Sequence, residues 1–108
     1  MEIDGIGQLA EFERTLRDKQ FLSEFRTLLT YMEYISNGNS LPDTKFKDVT
    51  PTSERVKEYE FKSKHLRIYA IKKENGKLII LGGFKTTQKA DFKRFRSLKQ
   101  QYLDSLEP

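Results

Sequence analysis

The residues of this chain with chemistry to offer are mostly cations. Lys62 and Arg67 flank "SKH", a turn between two strands whose middle residue is Lys64, and Lys85 and Lys89 follow the apolar run "KLIILGGF". Such side chains hold phosphates, lysine as a point charge and arginine through a fork of donors. Free N–H groups at the start of a helix after that run would add a favourable field. His65 is the only histidine. A neutral imidazole has one nitrogen free to take a proton and so qualifies as a proton acceptor, although an exposed turn histidine with no task fits the pattern equally well. Tyr69 would stack a base if its ring were exposed. The plain alternative for Arg67 is a surface ion pair across the hairpin with Glu58 or Glu60, worth little.

Other chemistries find no support. With no cysteine and one histidine, neither a thiolate nor a histidine-cluster metal site forms within one chain, and no thiol nucleophile exists. Gly82–Gly83 is too little for a phosphate loop, and no nucleophile elbow occurs. Carboxylates are numerous but scattered. No metal or cofactor is expected.

The elements that must position the cations follow from hydrophobic period. Leu9, Phe12 and Leu16 form one helical stripe, and Phe25, Leu28, Leu29, Met32 and Ile35 form another, out of phase across Arg17–Gln20. That pattern predicts two helices or one with a sharp break, ended by Gly38 in a left-handed cap. From Arg55 to Phe84 the period changes, predicting three antiparallel strands in a meander with Asn75–Gly76 as a hairpin turn. A weak fourth strand falls on "TKFKDV". Helical spacing returns from about Gln88 to Leu106, with Thr86 or Thr87 able to cap it. Phe92, Phe95, Lys99, Tyr102 and Leu106 share one side, and Lys89, Lys93, Arg96 and Gln100 share the solvent side. The expected fold class is α+β: two N-terminal helices, a three- to four-stranded antiparallel sheet and a C-terminal helix.

Size and charge agree with this layout. A chain of 108 residues with thirteen aromatic side chains supports one domain, residues 1–108, with a core built largely from rings. Neither the start, which lacks the order of a secretory signal, nor any apolar stretch of membrane-spanning length argues against a cytoplasmic protein that has no membrane partner. Residues 1–38 carry a net charge of −3 and residues 39–108 a net of +7. The basic part favours a polyanionic partner, while its helix face is as readily an ordinary solvated surface.

The segment "EYEFKSKHLRIYAIKKENGKLIILGGFKTTQKADFKRFRSL" resembles the toxins of the RelE/HigB superfamily, most of all the phage-derived HigB-like branch. The corresponding motifs are Glu58–Phe61, Leu66–Tyr69, Asn75–Gly76 and Ile79–Lys85 with Gln88–Lys89. The resemblance implies a RelE/ParE-like fold and a ribosome-dependent mRNA endonuclease that needs no metal. It inhibits translation by attack of a ribose 2′-hydroxyl on the adjacent phosphate. The partners it implies are the ribosome and mRNA, a cognate antitoxin of helix-turn-helix type, and operator DNA through that antitoxin alone. Carried over by residue, Arg67 matches the arginine that stabilises the phosphate and Lys85 the basic residue ending the last strand, with Lys62 and Lys64 in the basic neighbourhood before Arg67 and Gln88–Lys89 in the motif that follows. The motif supplies no general base, a role open to His65, Lys64 or Lys62, and Lys93 and Arg96 on the last helix would hold a ribosomal or RNA surface. The chain departs from the RelE pattern in having Glu58 and Glu60 where lysines stand, and Asp91 and Phe92 where a tyrosine is used. The alternative is a non-catalytic domain on the same fold, either a gyrase-inhibiting ParE-like toxin or a nucleic-acid- or protein-binding module.

Overall fold

A computed structural model describes residues 2–4, 6–73 and 76–106, with side chains from residue 9 onward. Strand β1 (Glu2–Asp4) leads into helices α1 (Ile6–Arg14) and α2 (Lys19–Ser36). The two are separate because Asp18 caps α2, its carboxylate accepting from the Gln20 N–H at 2.7 Å, a contact worth about 1 kcal/mol. At the far end Gly38 takes φ +87° and donates to the Ile35 carbonyl, the left-handed cap its position demands.

Strands β2 (Phe46–Asp48), β3 (Glu58–Lys62), β4 (Leu66–Lys73) and β5 (Gly76–Phe84) form a four-stranded antiparallel sheet. Helix α3 (Gln88–Ser105) closes the chain after a 3-10 turn at Lys85–Thr87. The weak "TKFKDV" signal is β2. One strand has no counterpart in the expectation: β1 pairs parallel with β5, giving the order β1-β5-β4-β3-β2. Three residues without an apolar alternation leave no strand signature in the sequence. The β4–β5 register closes on Lys73 opposite Gly76, and Asn75 of the expected turn lies outside the described residues.

The sheet is covered on both faces. Leu9, Phe12 and Leu16 with the α2 residues Phe25, Leu28, Met32 and Ile35 pack on Phe61, Leu66, Ile68, Ala70 and Ile79. On the opposite face Phe95 packs on Tyr69, Ile71 and Ile80. Residues Leu66–Ile71 are therefore buried without interruption, which is why "LRIYAI" shows little alternation. Burying a ring such as Phe95 contributes about 1.5–3 kcal/mol.

The two adjacent glycines are set by these opposed layers. A Cβ on Gly82 would stand 2.6 Å from the Phe12 ring, and one on Gly83 would collide with the Asp91 carboxylate from α3. Their role is to let a helix approach from each side. No described helix is long and apolar enough to cross a membrane.

Candidate functional site

At one end of the sheet the Ser63–His65 turn between β3 and β4 meets the junction of β5 with α3. The turn is self-tied: Ser63 N–H donates to the Leu66 carbonyl at 3.1 Å, and Leu66 N–H donates to Ser63 Oγ at 3.2 Å. Arg67 fastens it from below, Nη1 donating to the carbonyls of Ser63 at 2.5 Å and Leu66 at 2.8 Å. Lys85 N–H donates to the His65 carbonyl at 2.7 Å, so the turn and the start of the α3 segment are backbone neighbours.

Glu24, from α2, fills the concave side of the turn. Its Oε1 accepts from Ser63 Oγ at 2.5 Å and from His65 N–H at 2.7 Å, and its Oε2 lies 2.6 Å from His65 Nδ1. Burial pushes the Glu24 pKa up, but the bonds from Ser63 Oγ, the His65 ring and the His65 N–H together outweigh it and hold the carboxyl below its ordinary range. Phe21, one turn before Phe25, sets its ring edge-on to His65 at 5.4 Å. His65 is thus held on two sides, with 38% of its side chain exposed.

The expected site residues separate into two groups. Lys64, Lys85, Lys89 and Lys93 are exposed and Lys62 is half-buried, and among the described residues none of the five has a side-chain hydrogen bond or ion pair. Lys89 and Lys93, with Thr86, Thr87 and Ala90, line an open depression of about 440 Å³ on the outer side of α3. Unpaired, water-facing ammonium groups of this kind are available to a polyanion.

The second group is committed to the fold. Arg67 is 8% exposed, and its partners across the strands are Lys62 and Gly83, not Glu58 or Glu60. Gln88 donates to the buried Glu60 at 2.6 Å, which ties the first turn of α3 to the sheet. Arg96 reaches Glu58 at 3.2 Å and lies over the Phe92 ring, so it is not a free member of the solvent face. Lys99 is buried against the same carboxylate at 2.7 Å. The base-stacking expectation for Tyr69 is overturned: the ring has no exposed surface and stacks on Phe95 at 5.3 Å. Burial, aided by Glu60 and Asp91 and opposed by Arg67, pushes its hydroxyl pKa up. Thr87 does not cap α3 with its side chain; its hydroxyl bonds the Phe84 carbonyl and Asp91.

Sequence reasoning missed Glu24, which stands 41 residues from His65 and belongs to no motif. The one available signal is its place three residues after Phe21 and four before Leu28, which puts a carboxylate on the side of α2 that packs toward the sheet. Lys85 and Arg67, the two expected phosphate ligands, lie in different layers: Arg67 is buried beneath the turn, whereas the Lys85 side chain is at the surface beside it.

No family model, curated protein or solved structure matches the chain.

Proposed function

We propose that the chain is a toxin of the RelE/HigB-like kind that cleaves mRNA on the ribosome. The observation that carries this reading is the 2.7 Å hydrogen bond from Lys85 N–H to the His65 carbonyl, which brings the only histidine and the lysines Lys64 and Lys85 of two separate segments to one end of the sheet. In the proposed reaction the ribose 2′-hydroxyl attacks the adjacent phosphorus. His65 Nε2 takes the hydroxyl proton, and the bond to the departing 5′-oxygen breaks, with that oxygen protonated by a lysine ammonium or water. The products are a 2′,3′-cyclic phosphate and a 5′-hydroxyl. Lys64 and Lys85 stabilise the charge that grows on the phosphate, and Lys62, Lys89 and Lys93 hold the flanking backbone. Arg67 contributes by holding the turn and by its charge beneath it. In the cytoplasm a cognate antitoxin of helix-turn-helix type restrains the toxin and links it to operator DNA.

Induced expression in a bacterial host tests this. Growth should arrest, and primer extension should show codon-linked breaks in mRNA. Both effects should disappear in Lys64→Ala/Lys85→Ala, whose circular dichroism and urea midpoint stay close to those of the parent because both side chains are exposed. Arrest with intact mRNA and a DNA-damage response would overturn the ribonuclease reading in favour of a gyrase-directed toxin.

A further inference from the structure

The Glu24 carboxylate receives three hydrogen bonds from the residues of one turn, yet only one of them involves an imidazole, whose proton can sit on either of two nitrogens. Two go to Oε1 and secure the backbone and Ser63. The third joins Oε2 to His65 Nδ1 at 2.6 Å. An ionised carboxylate accepts and never donates, so the hydrogen on that contact belongs to the ring. In imidazole, the bond made by one nitrogen decides which nitrogen is protonated. Nε2 points away from Nδ1 across the ring. It has no hydrogen-bond partner and is not among the buried unpartnered atoms, so it reaches solvent.

We infer that Glu24 is a positioning residue that holds His65 in the tautomer protonated at Nδ1, leaving the lone pair of the neutral ring at the solvent-facing Nε2, in the turn that carries Lys64 and adjoins Lys85. The inference rests on the ribonuclease reading for the substrate, a ribose 2′-hydroxyl, and on the geometry alone for the tautomer. Helix α2 supplies Glu24 and the uncharged Phe21, the turn supplies Ser63 and Lys64, and the β5–α3 junction supplies Lys85 through its backbone. Glu24 is the one acid among them. A water-exposed histidine without such a partner exchanges freely between tautomers; this one has its orientation and its proton set by a residue from another layer of the fold.

The test is direct because the chain has one histidine, so its ring nitrogens give one set of signals. In ¹⁵N-labelled protein, at a pH where the ring is neutral, long-range ¹H–¹⁵N spectra should show Nδ1 protonated and Nε2 unprotonated. In Glu24→Gln the amide oxygen can still serve Ser63 and the His65 N–H. The preference for Nδ1–H should be lost, and cleavage kcat should fall on the order of 10²-fold with KM little changed. Glu24→Asp should recover part of both. A wild-type ring protonated at Nε2, or a tautomer unaffected by Glu24→Gln, would overturn the inference. An Nδ1–H ring that depends on Glu24, in a wild-type protein that cuts no RNA, would support the positioning and overturn the ribonuclease reading.

Discussion

Helix α3 is clipped to the sheet by an ion pair whose removal has a calculable consequence. Glu58 has no exposed surface and Lys99 only 3%. Lys99 Nζ donates to Glu58 Oε2 at 2.7 Å and to the Val56 carbonyl at 3.0 Å, while Arg96 Nε reaches Glu58 Oε1 at 3.2 Å. Lys99→Met keeps most of the stem but leaves a buried carboxylate with one partner and a carbonyl without its donor. Breaking a buried pair from one side costs about 3–5 kcal/mol. Arg96 retains part of the compensation, so the expected loss is about 2–4 kcal/mol. Glu58→Leu alone should also destabilise, because the buried ammonium is left with only the Val56 carbonyl and the Glu54 carboxylate 3.9 Å away. Glu58→Leu/Lys99→Met removes both charges, and Arg96, 43% exposed, turns to water. The double variant should lie within about 1 kcal/mol of wild type, since apolar replacement of a buried pair is often neutral. Urea unfolding measures this as a shift in midpoint at constant slope. A Lys99→Met variant within about 1 kcal/mol of wild type, or a double variant as unstable as its two singles added, would refute the reasoning.

Three further outcomes follow from the same geometry. Gly82→Ala should lose about 1–3 kcal/mol, because the new Cβ presses on Phe12 in the core, whereas Gly83→Ala meets only the rotatable Asp91 carboxylate and should lose less; thermal melts compare the two. Tyr69→Phe deletes a buried hydroxyl that has no partner, so it should match wild type or gain up to about 1 kcal/mol at pH 8. Because the folded-state pKa of Tyr69 is raised, wild-type stability should fall as pH climbs past about 10, where the unfolded tyrosine ionises first, and urea midpoints for Tyr69→Phe should show less of that fall. Glu24 has the opposite sign: its folded-state pKa lies below the ordinary 4.5, so its contribution is present above that pH and is lost as pH drops through the folded value. Midpoints measured at pH 5 and pH 3 should therefore fall more steeply for wild type than for Glu24→Gln.

Local rules made the elements of this protein legible in the sequence. The phase break at Arg17–Gln20 marks the interruption between the first two helices, and Gly38 ends α2 because only a residue tolerant of positive φ fits there. The change from helical period to apolar runs marks the meander, and the even burial of β4 explains why that strand shows no alternation. These are properties of adjacent residues, so the sequence determined them by itself. The site depends instead on residues brought together across layers. Arg67 reads as a free phosphate ligand until α3 covers its face of the sheet and its guanidinium turns to the Ser63 and Leu66 carbonyls. Gln88 reads as an RNA ligand and Arg96 as solvent-facing until Glu60 and Glu58 are found beneath α3. His65 reads as an idle turn residue until Glu24 arrives from α2 with three hydrogen bonds. Which cations stay free and which are tied down is decided by buried carboxylates, and their positions exist only once helices close both faces of the sheet.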